Sequence, residues 1–514
     1  MMGNPSTAEA AVALLAAHGV DTVFVAGAST GSAALDAALR RGPLGIVAVE
    51  EGLRGAAVAA GFATAGQTAS VFVTAAGAAG RGVRHAVAEA LPGLGPVLHL
   101  SVRRGGGRYG ALRPHDAARG RTHAAQACTA AGSGAGAGGR LADALAAAFR
   151  HINRQRPGPF FIELGDDELA SPYRGRIRPL LQPLPPAPDH AAIAEAARRL
   201  DAAERPAILI GRGGEYAIAF LDRLAGRLQA PVIYSQPLNP LLGQARPLTC
   251  GPVLHHPATH EFLAGCDVVL ALGDALSAFD ADTYDMAVAG KVVHFSPDYE
   301  DFCSGNADDL TLVTEIGAAC ERLLACAGRP RVAEGRERAA ALCRAILAAG
   351  DPWQVELAER IVHALPDAAT LVATPEMLAL LAAAARAHPG ARLHRALAVS
   401  DAALTLACAS GAALADPETP HVAIVRAADI ADLGGDLRAA QALPIAAPVV
   451  MVDCRGADGD FFHAPALAAC GCTRLAIGPH EPVESALAQA LAADAPAIIE
   501  FMPAATLRRH SRRA

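Results

Sequence analysis

Short, uninterrupted apolar runs recur along this chain, separated by Ala-rich stretches of helical length. In the first third they read DTVFVAG, GIVAVE, ASVFVTAAG and GPVLHLS. A strand with one face in water alternates apolar and polar residues. These runs do not alternate, so both of their faces are expected to be buried. That pattern belongs to a parallel sheet clothed by helices on both sides, because each parallel pairing needs a crossover long enough to return the chain. The stretches 7–18, 31–40, 53–65 and 81–90 supply such crossovers, the first of them capped by Ser6 or Thr7 with Glu9 in its first turn. A helix over 140–153 and a last strand in RPGPFFIEL complete the group.

The alternation resumes after a proline-rich segment, Pro179–Pro188, which reads as an extended linker. PAILIGRGGEYAIAFLDRLAGRLQAPVIYS gives strand, glycine turn, helix and strand, and CDVVLALGDAL and KVVHFSPD give two more strands. A second boundary falls near 328–351. Beyond it, VAIVRAADIADLGG, DLRAAQAL and PIAAPVVMVDCRG form strand, loop, short helix and strand across Val422–Gly456. The expected fold is α/β, with three domains over 1–174, 190–328 and 352–505, each an open, mainly parallel sheet flanked by helices. A chain of 514 residues is long enough for three cores. With 52% hydrophobic residues but only 4% aromatic ones, those cores must rely on close backbone approach of Ala and Gly.

A net charge of −7 and an isoelectric point near 6.2 argue against nucleic acid or an anionic membrane as partner. The arginines of 508–513 read as a solvated tail. The 11 cysteines contain no CxxC pair, and Cys470-Gly471-Cys472 reads as packing rather than metal binding. The N-terminal apolar run has no basic leader, and no run is long enough for a secure membrane span, so a reduced, cytoplasmic setting is expected.

In an open α/β sheet, ligands sit beyond the carboxyl ends of the strands, which puts the expected chemistry at the loops opening at Arg426 and Asp453. The segment around them resembles the C-terminal cofactor domain of thiamine-diphosphate enzymes of the acetolactate synthase and benzoylformate decarboxylase type. Upstream, GVDTVFVAG, ending at Gly27, is similar to that family's GV-x-x-VFG-x-PG. VTAAGAAGR, with Gly77 and Gly80, is similar to VTSGPGATN, and Gln155 to Pro159 with Glu163 and Asp166 to GRPGPV-x-x-E-x-P-x-D. Three matches in chain order are much more specific than one, and the resemblance covers nearly the whole chain. It implies the thiamine-diphosphate-enzyme fold, thiamine diphosphate as the cofactor, and Gly27 and Gly77 beside it.

The resemblance also implies site residues. In the family a glutamate opening the helix after the second strand hydrogen-bonds the aminopyrimidine ring and activates the cofactor. Counting back from Gly61-Phe62-Ala63 puts Gly52 in that slot and Glu51 one residue early. One residue on a helix is a rotation of about 100°, so Glu51 serves only if the preceding turn absorbs the offset. Otherwise Glu50 and Glu51 are ordinary first-turn acids. The family's magnesium ligands, the Asp of Gly-Asp-Gly and an Asn, align with Ala427 and Arg455. Magnesium needs near-octahedral oxygen coordination and is not expected here, Asp429 and Asp453 lying off the ligand positions.

Arg426 and Arg455 together carry the charge of the ion they replace and could hold phosphate. The other reading pairs them with Asp429 and Asp453, closing the pocket. Of His85, His99, His115 and His123, His115 in its RPHD loop is the candidate for proton transfer. Gly211, Gly213 and Gly214 form only a partial dinucleotide signature, so FAD or ADP is not expected in the central domain.

Three functions stay open. The first is a C–C lyase or carboligase acting on a small 2-oxo acid or carbonyl compound, with unusual or lost magnesium-diphosphate binding. The second is a non-catalytic paralogue serving as subunit or scaffold of an active homologue. The third is a conventional magnesium-dependent enzyme with shifted motifs. In the family each active site joins the first domain of one subunit to the third of another, which implies a homodimer or tetramer.

Overall fold

The computed structural model describes residues 4–66, 68–75, 97–103, 127–129, 137–152, 160–178, 186–235, 246–273, 276, 291–298, 302, 308–328, 334–366, 368–387, 395–399, 401–429, 433–445, 447–455, 470–493 and 495–503. These residues form three six-stranded sheets whose strands all pair in parallel with their neighbours, and helices connect them. The chain gathers into two compact units: Met1–Pro183 with Ala403–Glu418 and Asp432–Pro448, and the remainder.

In the first unit the strands are β1 (Thr22–Ala26), β2 (Gly45–Val49), β3 (Ser70–Ala75), β4 (Val97–Arg103), β5 (Ala127–Thr129) and β6 (Phe160–Gly165). Their order across the sheet is β2-β1-β3-β4-β6-β5. Strand β5 was not foreseen: three residues, ACT, carry too little pattern to stand out. The apolar runs of β1, β3 and β4 are buried as expected, with Phe24, Phe72 and Leu98 fully covered, but GIVAV departs from the expectation: β2 is an edge strand, and its Ile46 is 45% exposed. The first helix, Thr7–Ala17, starts on a reciprocal cap: the Ser6 hydroxyl accepts from the Glu9 N–H and the Glu9 carboxylate accepts from the Ser6 N–H.

Two helices of this unit, Leu53–Gly66 and Thr405–Ala415, are buried around most of their circumference. They touch through glycine. A Cβ on Gly61 would lie 2.0 Å from the Cys408 carbonyl oxygen, and one on Gly411 would lie 1.9 Å from that of Val58. Backbone meets backbone along this seam, which is the close approach that a core rich in Ala and Gly makes available.

The second unit holds two sheets. The central one comprises β7 (Pro206–Ile210), β8 (Val232–Tyr234), β9 (Thr249–Gly251), β10 (Val268–Leu272), β11 (Lys291–Ser296) and β12 (Leu310–Val313), in the order β12-β11-β10-β7-β8-β9. The other comprises β13 (Thr370–Ala373), β14 (Arg395–Ala398), β15 (His421–Arg426), β16 (Val449–Asp453), β17 (Thr473–Ile477) and β18 (Ala497–Phe501), in the order β14-β13-β15-β16-β18-β17. Numbered within each sheet, the first and third share one topology and the central sheet has another.

The stretch read as a boundary near 328–351 contains a helix, Gly335–Ala349. Its Ala339, Leu342, Cys343 and Ile346 recur at helical spacing and join one hydrophobic cluster with Leu357, Leu381 and Leu371. No described helix is long and apolar enough to cross a membrane.

Candidate functional site

At the carboxyl edge of the first sheet, β2 ends at Val49 and the helix does not start until Leu53. Glu50 and Glu51 therefore lie in the turn before the helix and not in its first turn. Gly52, in the turn that joins Glu51 to the helix, has φ +97°, a conformation open to glycine. The Glu51 carboxylate faces the loop after β1: a Cβ on Gly27, itself at φ +73°, would come 2.9 Å from Glu51 Oε1. Gly27 thus keeps open the space in front of the acid. Neighbouring Glu50 pairs with Arg54 at 3.6 Å, and Arg54 Nε binds the buried Asp436 at 2.6 Å, fixing the start of the helix.

The loop after β1 is held from its own side. Asp36 accepts from the Ser29 hydroxyl at 2.6 Å and from the N–H and hydroxyl of Thr30 at 2.9 and 2.8 Å. Partial burial opposes the charge on Asp36, but these donors outweigh it and hold the carboxyl below its ordinary range. His99, one of the first-domain histidines, is a core residue: it is buried in β4, bonded to Thr74 Oγ1 at 2.8 Å and packed between Phe72 and Phe161. Gly77, His85, His115 and His123 lie outside the described residues.

The second cluster lies at the carboxyl ends of β15 and β16, adjacent strands in which Arg426 and Asp453 are register partners. Arg426 Nε donates to Asp429 Oδ2 at 2.6 Å across a single turn, the pairing anticipated from the sequence. Arg455 departs from expectation. Its guanidinium pairs with Asp351, and only its backbone N–H reaches Asp453, at 3.0 Å. The reason is geometric: the Asp453 side chain is 2% exposed and accepts from Trp353 Nε1 at 2.8 Å, whereas Asp351 sits in the open at the start of helix Pro352–Ala364.

Slight burial raises the Asp351 carboxyl. The Arg455 guanidinium and the N–H groups of Gln354 and Trp353 prevail and hold it below the carboxylate range. Sequence reading missed Asp351 and Trp353, although DPW announces a capped helix start, because a cap signal does not say what the helix end will face. Cys454, between the two strand-end residues, is buried, and its thiol is pushed far up by that burial and by Glu500 and Asp453.

Among the described residues no three His, Cys, Asp or Glu side chains converge on one point. Asp429 is engaged by Arg426, and Asp453 is held by Trp353 and the Arg455 N–H. Two guanidinium groups at the ends of neighbouring strands suit an anion.

In the central sheet, β7 and β10 are the neighbours at which strand order reverses. The glycines there serve loop packing: a Cβ on Gly273 would sit 2.1 Å from the Arg212 carbonyl oxygen, and Gly211 donates to Leu272 at 2.8 Å.

Residues 193–323 match the family model described as the thiamine pyrophosphate enzyme, central domain. The chain is 29% identical over 238 residues to a Pseudomonas aeruginosa protein named as a probable 2-ketoarginine decarboxylase, AruI, covering 44% of this chain and 42% of that one. It is 29% identical over 161 residues to the acetolactate synthase isozyme 1 large subunit of Escherichia coli K12, covering 30% of this chain and 27% of that one. The central domain of the chain is thus that of the thiamine-diphosphate enzymes, and further stretches of the chain are similar to members of that family. The matched stretches span less than half the length of these two relatives. The X-ray structure of a Mycobacterium smegmatis protein described as thiamin diphosphate-dependent superposes with a TM-score of 0.69 at 18% identity, covering 97% of this chain and 99% of the other, and shows that the fold is shared. Thiamine diphosphate is the cofactor of the family that these comparisons point to.

Proposed function

We propose that this chain acts on a small 2-oxo acid or carbonyl compound, cleaving or joining a C–C bond, with the cofactor's diphosphate end bound in an unusual way. The observation that carries the reading is the Glu51 carboxylate facing Gly27, with no Cβ in the space between them. Thiamine diphosphate, when bound, supplies a carbon nucleophile that adds to the carbonyl carbon of such substrates. In this chain Glu51 would hold a proton with the aminopyrimidine ring, Gly27 and Gly77 would leave room for that ring, and Arg426 and Arg455 would hold the diphosphate. His115 is the proposed carrier of a proton to substrate. A homodimer or tetramer and a cytoplasmic setting accompany this reading.

The test is carbon dioxide release from a panel of short 2-oxo acids in the presence of thiamine diphosphate. Glu51→Gln should reduce turnover by about a hundredfold or more, the usual worth of a positioned acid–base group. A variant as active as wild type would remove the basis of the proposal.

A second reading, a non-catalytic subunit or scaffold of an active homologue, is favoured by the ion pairs that already engage both arginines. It predicts no turnover with any substrate of the panel and a gain in a homologue's activity when the two are mixed.

A further inference from the structure

We infer that Cys250 and Cys343 are a dithiol oxidised by peroxide, and that the disulfide they form locks helix Gly335–Ala349 to strand β9. Strand β9 is an edge of the central sheet and carries Cys250, while the helix carries Cys343. Against β8, Val232 pairs with Thr249 and Ile233 with Gly251, so Cys250 is the extra residue of a bulge. A bulge re-aims a side chain, and this one meets the helix. Cys250 Sγ lies 3.8 Å from the Ala339 carbonyl oxygen, one helical turn before Cys343, and the two thiols are hydrogen-bonded to each other. Both cysteines are free and sit in one hydrophobic cluster. Thiols already in contact reach bonding distance by small rotations.

Apolar packing does not account for the third member of the group. Arg386, on helix Pro375–Ala387, bonds the Cys343 thiol, and its Nη2 donates to the Arg336 carbonyl oxygen at 3.3 Å. Residues 336, 339 and 343 share a helix face, so the guanidinium lies along the face that meets Cys250. Its buried Nε has no acceptor among the described residues. A donor to spare beside a thiol favours the thiolate, the form that attacks peroxide. The bond from Cys250 and the arginine outweigh burial and lower the Cys343 pKa, whereas Cys250 is raised. Burial and then Glu315 push the Cys320 thiol up to about 12 instead. Cys343 is therefore the attacking sulfur and Cys250 the resolving one.

The oxidant is hydrogen peroxide. The Cys343 thiolate attacks one peroxide oxygen, the O–O bond breaks and hydroxide leaves, giving a sulfenic acid. The Cys250 sulfur then attacks the Cys343 sulfur, the S–O bond breaks, and the Cys250 proton leaves with the hydroxyl as water. Two thiols are oxidised and one peroxide is reduced to water; a thiol reductant reverses the change. A bulged edge strand of three residues opens readily, which admits so small an oxidant to a buried pair.

The test uses the full-length protein under native conditions, freed of reductant and given a slight excess of hydrogen peroxide. Peptide mapping without reduction should find the tryptic fragment Ala339–Arg344, which holds Cys343, joined to the fragment that holds Cys250. Tm should rise by about 4 °C or more over the reduced protein, since the bond closes a long loop, and dithiothreitol should reverse both changes. In Cys250→Ser, dimedone should trap a sulfenic acid at Cys343; in Cys343→Ser, Cys250 should gain no adduct. Arg386→Gln should slow formation of the bond about fivefold or more.

Oxidation of the exposed Cys326 with Cys250 and Cys343 left unjoined would overturn the inference, as would a bond that forms only in denaturant. A joined protein no more stable than the reduced one would overturn the lock. An adduct at Cys250, or unchanged kinetics in Arg386→Gln, would overturn the assignment of Cys343 as the attacking thiol.

Discussion

Gly61→Ala and Gly226→Ala are the same change on two helices, and the structure gives them opposite signs. On Gly61 the new methyl carbon would sit 2.0 Å from the Cys408 carbonyl oxygen and 2.8 Å from its carbon, both backbone atoms that no rotamer change can move. Ordinary contact needs more than about 3.2 Å, so the Leu53–Gly66 and Thr405–Ala415 helices must part by about 1 Å along a fully buried seam. Overpacking of this kind costs about 3–4 kcal/mol, and the better helix propensity of Ala returns about 1 kcal/mol, leaving a net loss of about 2–3 kcal/mol.

At about 2–4 °C per kcal/mol for a unit of this size, Tm should fall by about 4–12 °C. On Gly226, in helix Ile218–Leu228, nothing lies within 4 Å of the added carbon, and stability should rise by about 0.5–1 kcal/mol. Thermal unfolding followed by circular dichroism on both variants decides the matter. Equal shifts, or a Gly61→Ala protein as stable as wild type, would refute the close backbone seam.

Three further outcomes are expected. Asp436→Ala leaves Arg54 without its 2.6 Å partner at a largely buried position and should cost about 2–3 kcal/mol in urea unfolding, less than a fully buried pair because Arg54 is 31% exposed. Arg426→Ala should change stability by no more than about 1 kcal/mol, since its pair with Asp429 is exposed; a larger loss of Tm would mean that assembly buries this edge. His18 stacks on Phe149 with ring centroids 4.1 Å apart, and burial lowers its pKa. Its contribution to stability is therefore present above its unfolded value near 6.5 and lost as pH falls through the lower folded value, so wild type should weaken from pH 7.5 to 5.5 more than His18→Gln does.

Much of the architecture could be read in advance because it depends on local pattern. Apolar runs without alternation point to burial on both faces, which holds for VFV and VLHL in β1, β3 and β4, whereas IVAV became the exposed edge strand β2, because the same letters do not say which strand ends the sheet. Ser6 and Glu9 cap a helix through contacts three residues apart. The adjacency of the loops after Val422–Arg426 and Val449–Asp453 follows from successive parallel strands, and Arg426 found Asp429 because a single turn brings them together.

What the sequence left undecided depends on which distant atoms meet. The pattern put Glu50 and Glu51 in a helical first turn, but the helix starts only at Leu53, after a Gly52 of positive φ, and the Glu51 carboxylate lies beside Gly27. Arg455 had Asp453 two residues away yet pairs with Asp351, 104 positions upstream, because the nearer carboxylate is buried and claimed by Trp353. Gly61 and Gly226 are indistinguishable as letters in Ala-rich helices. Only the packed fold puts the Cys408 carbonyl against one and open space beside the other, since a missing side chain acquires meaning from what fills its place.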